Sequence, residues 1–584
     1  MRRASLLLLS VLGGLTPAAD AAPPDVVLVT LDTVRADRMG FLGSKRGLTP
    51  TLDALAREGV VFEDAFAEAP LTTVSHATIL SGLHPPAHGV QDFGMALPPA
   101  VPWLPALLRS AGYRTAAFVG SIVLDPKGPI APGFDRGFDA YDAGFERRRD
   151  GADPYRTKER RGAEVVSRAL AWLDRRGPGR FFLWVHLYDA HDPYDPPEPF
   201  ASRYAREPYD GEIAGVDAVV GRLCDGLRVR GLWDGALVVV AGDHGEALGE
   251  HGEATHGVFL YDATIHVPLL LRLPRREEAA RRVAARVSLV DVAPTVLEAT
   301  EVAIPQEVQG RSLLGLARGG RESERPAYAE SEYPRRVYGW SDLRAWRAER
   351  FLFVEAPRRE LYDLRSDPGA TRNLAGERPA VADGMAAEIE RSRRAWAGVA
   401  PQAPRGQADA ELVERLASLG YASGATGSVA PPPSGIDPKD KIHVVNLLQH
   451  ATQAGEEGRW DLALPIYEKV VSTDPQIFTA RIELGLALAR RAQAEARRGD
   501  GAARAREDWA RALPHLKLVA ERMPDYADAR FTLGLAYASL GRSGEAVREL
   551  RAALARDPGH RQARALLGDL DPSAVPPVPP RPEE

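Results

Sequence analysis

Between residues 25 and about 300, short apolar runs rich in β-branched residues alternate with segments of helical periodicity. This alternation constrains the fold more than any other feature of the chain. The runs are DVVLVTLD (Asp25 to Asp32), TAAFVG (Thr115 to Gly120), RFFLWVHL (Arg180 to Leu187) and ALVVVAG (Ala236 to Gly242). Each is short and continuously apolar, which reads as a strand buried on both faces. Thr49-Pro50 opens a stretch that places Leu52, Leu55 and Ala56 on one face of a helix. Strands separated by helices predict an α/β domain, a doubly wound and mainly parallel sheet covered by helices on both sides.

At 584 residues the chain exceeds what one core supports, so further domains follow the α/β unit. The reading is a signal peptide over 1–22, a metallohydrolase domain over 23–400, a linker over 401–440, a helical repeat domain over 441–570 and a disordered tail over 571–584. The signal peptide rests on Arg2 and Arg3, the apolar stretch from Leu6 to Leu15, and small residues from Ala18 to Ala22. It predicts export, to a periplasm or the extracellular space, or a tether if uncleaved. No later segment has the roughly 20 apolar residues of a membrane span. Cys224 is the only cysteine, so the chain forms no internal disulfide. The linker is rich in Ala, Pro, Gly and Ser, including Pro431-Pro432-Pro433-Ser434-Gly435, with Ala410 to Leu419 as one short helix inside it. A net charge of −6 supplies no basic face for nucleic acid.

The repeat domain shows itself by spacing. Ala463, Ala512 and Ala546 are each followed four residues later by Tyr467, Leu516 and Leu550, and twelve residues later by Pro475, Pro524 and Pro558. Ala451, Gly485 and Gly534 sit upstream, where two helices touch. The last two prolines are 34 apart and the first two 49, which is 34 plus an insert of 15. This unit resembles the tetratricopeptide repeat, an all-α solenoid that binds a protein partner.

In an open α/β sheet the site lies beyond the carboxyl ends of the strands. Asp32 ends the first strand, and Asp243-His244 follows the strand ending at Gly242. Both can reach one cation if the backbone turns sharply, which Gly242 and Gly245 permit. Thr72, Thr73 and Ser75 precede the helical ATILSG, where a hydroxyl meets exposed N–H groups and the positive end of a dipole. Ser75 is placed to cap that helix.

Taken together, these segments resemble the sulfatase-like branch of the alkaline phosphatase superfamily over roughly residues 25–375. The matching stretches are LVTLDTVRAD (Leu28 to Asp37), TPTLDALAREGVVFEDAFA (Thr49 to Ala67) and TTVSHATILSG (Thr72 to Gly82). HLYDAHDPYDPP (His186 to Pro197), GDHGEALGEHGEATHG (Gly242 to Gly257) and ELYDLRSDPGATRNLA (Glu360 to Ala375) follow in order. The departures matter as much. Thr72 stands where sulfatases carry the formylglycine precursor, and threonine cannot become that aldehyde hydrate. His76 replaces the motif's Arg, Ser121 and Val123 occupy the segment of the facing Lys and His, and Thr33 and His244 replace a second Asp and an Asn.

The remaining set is similar to threonine-nucleophile members of the superfamily: phosphodiesterases, phosphonoacetate hydrolases and phosphoethanolamine transferases. The resemblance implies Thr72 as nucleophile, with Asp32, Thr72, Asp243 and His244 around a divalent metal. His191 and His256 would contact the anion or protonate the leaving group, or else hold a second metal with Asp189. Glu246 would accept the other N–H of His244. An imidazole ligand suits Zn²⁺ or Mn²⁺ better than Ca²⁺. His251 and His266 read as surface or packing residues. The expected substrate is a small-molecule, glycan-linked or lipid-linked anionic ester. Phosphate (di)ester cleavage leads, and sulfuric ester hydrolysis and phosphoethanolamine-type transfer are the alternatives.

Overall fold

The computed structural model describes residues 22–126, 130–144, 159–397, 434–498, 501–522 and 527–576. The first strand, β1 (Asp25–Leu31), is central in an eight-stranded sheet of order β4-β3-β5-β1-β6-β7-β2-β8. Its neighbours are β5 (Phe181–Leu187) and β6 (Ala236–Gly242), both parallel to it. The remaining strands are β2 (Val60–Phe66), β3 (Arg114–Val119), β4 (Ala140–Asp142), β7 (Leu269–Arg272) and β8 (Arg281–Ser288). Only β7 runs antiparallel to its neighbours.

The alternation of side chains along β1 divides the core in two. Val26 and Leu28 join one apolar cluster, while Val27, Val29 and Leu31 join the other. The second cluster is completed by helix α1 (Pro50–Arg57) and the helices Gly162–Arg175 and Pro208–Val229. The first is completed by helix α2 (Thr72–Ser81), among others. Helices therefore cover both faces, as the apolar runs require.

Within the 23–400 unit lies a four-stranded antiparallel sheet that the apolar runs did not announce. Its strands are β9 (Ala327–Ser331), β10 (Leu343–Ala348), β11 (Phe351–Glu355) and β12 (Glu360–Asp363). The helix Pro379–Trp396 packs on it through Met385 and Ile389, against Tyr328, Trp346, Phe353 and Leu361.

The repeats form helical hairpins: Pro438–Glu456 with Trp460–Thr473, Phe478–Arg498 with Ala502–Arg522, and Ala527–Ser539 with Ser543–Arg556. A final helix, Arg561–Leu570, follows. The insert lengthens the middle hairpin, whose helices have 21 residues each against 13 and 14 in the next. A Cβ on Gly534 would lie 3.0 Å from Leu550 Cγ, so the small residue does mark a close helix contact. The first repeat helix begins at Pro438, inside the stretch read as linker. The tail read as disordered from 571 begins with a 3-10 turn over Pro572–Ala574, started by Asp571 accepting Ser573 N–H and held by buried Ala574. The expected signal peptide (but for Ala22), most of the linker and its short helix lie outside the described residues. Among the described residues, no helix is long and apolar enough to cross a membrane.

Thr49 does not cap α1 with its side chain. The buried carboxylate of Asp217, on the helix Pro208–Val229, does so from a distance, accepting the N–H groups of Thr51 (3.0 Å) and Leu52 (2.8 Å). Replacing Asp217 with Ala should cost about 1–2 kcal/mol. A lowered thermal midpoint is the expected readout, and an unchanged one would remove Asp217 from this role.

Candidate active site

The strand register assembles the site. Leu31 of β1 pairs with Leu187 of β5 and with Gly242 of β6, so Asp32 and Asp243 leave the sheet side by side. Backbone bonds run from Asp32 N to Leu187 O (2.9 Å) and from Asp243 N to Leu31 O (3.1 Å). Both carboxylates are wholly buried. Gly242 and Gly245 are required here for closeness, not for a left-handed backbone. A Cβ on Gly245 would lie 2.1 Å from Ala263 O, and one on Gly242 2.9 Å from Val34 O.

Thr72 is the first residue of α2, and no side chain caps that helix start. Its Oγ1 lies 3.3 Å from Asp32 Oδ2 and 3.2 Å from His244 Nε2. The His244 Nδ1–H donates to Gly245 O at 3.0 Å, so the Nε2 lone pair faces the carboxylates. It stands 3.8 Å from Asp32 Oδ1 and 3.7 Å from Asp243 Oδ2. Those two oxygens are buried and have no hydrogen-bond partner.

Burial pushes the Asp32 carboxyl well above the usual range, and neighbouring Glu246 pushes the same way. Burial, then Asp32, do the same to Asp243. Among the described residues no Lys or Arg pairs with either carboxylate. Two partnerless carboxylate oxygens and one imidazole lone pair fit a divalent cation. Ligands about 2.1 Å from one ion stand roughly 3.4 Å apart in a tetrahedron, close to the spacings seen.

A second group, His76, His186 and Asp243, also converges. Its two histidines are already engaged. Trp184 Nε1–H donates to Thr30 Oγ1 (2.9 Å), the Thr30 hydroxyl donates to His76 Nε2 (2.9 Å), and His76 Nδ1–H donates to Thr72 O (2.7 Å). This chain pins the backbone of Thr72 to β1. His186 Nε2–H donates to Asp32 Oδ2 at 3.1 Å and so orients that carboxylate. Sequence reasoning gave His186 no role, although an imidazole inside the apolar run FFLWVHL was the available signal.

Three expectations are corrected. Ser75 does not cap α2; its hydroxyl donates to Asp243 O at 2.6 Å and ties the helix to the Asp243-His244 turn. Asp189 does not join the site, because both its oxygens accept the Gly162 N–H (3.0 and 2.9 Å) at the start of a helix. Glu246 serves His256, not His244: its Oε1 lies 3.0 Å from His256 Nδ1. His256 stacks near His244 and His191, with ring centroids 4.6 and 5.0 Å apart. His191 lies over Tyr188 and bonds Asp192 O at 2.5 Å. Burial lowers the His256 and His186 imidazoles to about 3, and lowers His191 and His244 well below the usual value. Ser121 accepts Val123 N–H at 3.4 Å at the start of a 3-10 turn, and buried Val123 gives its carbonyl to Thr73. His251 stacks on Tyr261, and His266 on Phe66.

Comparison with known proteins agrees with this frame. Residues 24–302 match the sulfatase family, and residues 249–394 match the C-terminal region of N-sulphoglucosamine sulphohydrolase. Residues 503–570 match the tetratricopeptide repeat. Residues 24–302 form a sulfatase domain, tetratricopeptide repeats follow it, and the chain is a hydrolase acting on ester bonds. Steryl-sulfatase of Mus musculus is 28% identical, over 52% of this chain and 66% of that protein. Arylsulfatase of Clostridium perfringens is 24% identical, over 60% of this chain and 90% of that protein. The fold is shared with phosphonate monoester hydrolase of Agrobacterium radiobacter (TM-score 0.55, 24% identity, 64% of this chain and 95% of that one). Sulfatase-family enzymes use a divalent metal ion, and the Asp32, Asp243 and His244 group could hold one.

A cation at this group should stabilise the fold by about 2.7 kcal/mol at a hundredfold excess over its Kd. A chelator should lower the melting midpoint and a divalent metal restore it, whereas an Asp32→Asn/Asp243→Asn variant should not respond. An equal response in the variant would place the metal elsewhere.

Proposed function

We propose that the protein is an exported, divalent-metal-dependent hydrolase of phosphate mono- or diesters with Thr72 as its nucleophile. The observation that carries this is the Thr72 hydroxyl, set at an uncapped helix start between Asp32 and His244. A divalent ion held by Asp32, Asp243, His244 and Thr72 would polarise the ester and lower the pKa of the Thr72 hydroxyl. The donor set favours Zn²⁺, then Mn²⁺, then Ca²⁺.

Thr72 Oγ attacks phosphorus in line with the leaving oxygen, its proton passing to Asp32 Oδ2 at 3.3 Å, and the start of α2 stabilises the charge that develops. His256 protonates the leaving alkoxide. It is neutral at rest because it is buried; an anionic ester beside it raises its proton affinity, and Glu246 behind its Nδ1 fixes the ring. His191, held against Tyr188, contacts the anion. Water then attacks the phosphorus of the Thr72 ester, giving one proton to the now neutral His256, and Thr72 leaves with the proton held by Asp32, so that a monoester yields phosphate and a diester yields a phosphate monoester. Export is supported by the basic start, apolar stretch and small residues of the N-terminal segment. The repeats offer a surface for a protein partner.

Sulfuric ester hydrolysis is the second reading, favoured by the names of the relatives, steryl-sulfatase and arylsulfatase. Chromogenic phosphate monoesters, phosphate diesters and sulfate esters, assayed with the native chain and with Thr72→Ala, separate the two. The native chain should turn over a phosphate ester fastest, and the variant should lose at least about a thousandfold. Preference for sulfate would favour the second reading. Undiminished turnover by Thr72→Ala on every ester would end the nucleophile assignment.

A further inference from the structure

His256 follows a loop held partly by its own backbone, where Ala247 N–H donates to Thr255 O (2.6 Å) and Gly249 N–H to Glu253 O (2.8 Å), and partly from outside. Between Leu248 and Gly257 five residues have positive φ: Leu248 (58°), Gly249 (104°), His251 (54°), Gly252 (86°) and Gly257 (107°). Leu248 and His251 carry a Cβ, and such conformations, at about 1–3 kcal/mol each, persist only where the surroundings over-determine them. On the inner side, the Arg35 guanidinium donates to Glu246 O (2.8 Å) and Ala247 O (3.2 Å) and pairs with Glu250 (2.8 Å). Buried Glu253 accepts the N–H groups of Val258 (2.8 Å) and Phe259 (3.1 Å).

The outer side is held by the repeat domain. Asn446, on the helix Pro438–Glu456, accepts Ala254 N–H (3.2 Å) and donates to Gly252 O (2.8 Å). Three residues along, one position short of a full turn, Gln449 donates to Thr255 Oγ1 at 2.8 Å, one residue before His256. The same helix reaches the loop by a second route. Lys439 pairs with Glu360 (3.3 Å), Glu360 accepts the Tyr261 hydroxyl (2.8 Å), and Tyr261 stacks on His251 at 3.6 Å between centroids.

We infer that Asn446 and Gln449 are positioning residues for His256, so that the first repeat helix is part of the catalytic unit. This rests on the reading of His256 as the proton donor to the leaving group. Glu246 fixes the ring from behind, and the backbone that carries the ring is fixed by Ala247 N–H on Thr255 O, by Ser331 on Gly257 O, by Arg35 on one side and by the repeat helix on the other. Removing the outer bonds frees Gly252–Thr255 to shift, and a displacement near 1 Å is enough to weaken proton transfer by up to about a hundredfold. Attack by Thr72, which sits on a different element, is untouched.

The test uses the full chain with Asn446→Ala/Gln449→Ala, together with Asn446→Asp, which keeps the acceptor for Ala254 N–H. Both side chains are half-buried, and a thermal melt verifies folding. Aryl phosphodiesters and aryl sulfates with phenyl and 4-nitrophenyl leaving groups are compared, since 4-nitrophenolate leaves without a proton. The double variant should lose about tenfold in kcat with phenyl esters and less than about twofold with 4-nitrophenyl esters, KM being unchanged. Asn446→Asp should fall between, and amide exchange across Gly252–Thr255 should accelerate. His256→Ala should show the same split, larger. If His256→Ala slows both esters equally, the reading of His256 fails. If it shows the split while the double variant does not, or slows both esters alike, the positioning role is overturned and the reading of His256 stands.

Discussion

Two carboxylates 211 residues apart in the chain (243 − 32), Asp32 and Asp243, are buried side by side because β1 pairs in parallel register with β5 and β6. Buried like charges are among the most unfavourable arrangements a protein can hold unless a cation or a proton offsets them. Much of the surrounding structure serves this pair. His186 orients one carboxylate, Ser75 anchors the turn of the other, and the His244 tautomer turns a lone pair toward both. The Trp184–Thr30–His76 chain fixes the carbonyl of Thr72, so the position of Thr72 depends on the central strand and not on α2 alone.

A second dependence crosses between domains. The apolar core runs without a break from the sheet into the repeats, and Thr479 of the second hairpin donates to Val337 O at 3.1 Å. The repeat domain therefore packs as a wall of the catalytic domain. Its first helix contacts the loop before His256 through Asn446 and Gln449.

Much of this could be read from the chain. Each of the four apolar runs became a strand within one residue of its expected ends, because continuous Val, Leu and Phe runs have few other ways to be buried. Asp32, Thr72, Asp243 and His244 converge because strand ends and helix starts are fixed by topology. The antiparallel sheet β9–β12 escaped notice, since strands such as Ala327–Ser331 and Glu360–Asp363 mix charged and small residues with apolar ones. Asp189, Glu246 and Ser75 were assigned to the wrong partners. Each was read from its neighbours along the chain, whereas its bond partner was chosen across the fold.

The sequence alone determined the strand–helix alternation, the repeat spacing and the residue types at the strand ends. It also placed a threonine at position 72, where the resemblance puts the formylglycine precursor. Only the tertiary structure decided that Glu246 stands behind His256, that His76 and His186 brace Thr72 and a carboxylate, and that Asn446 reaches the His256 loop from nearly two hundred residues away. The physical reason is the range of the interactions. Hydrophobic periodicity and backbone preference act over a few residues and leave a local pattern. A hydrogen bond reaches about 3 Å in space, and its partner can lie anywhere in the chain.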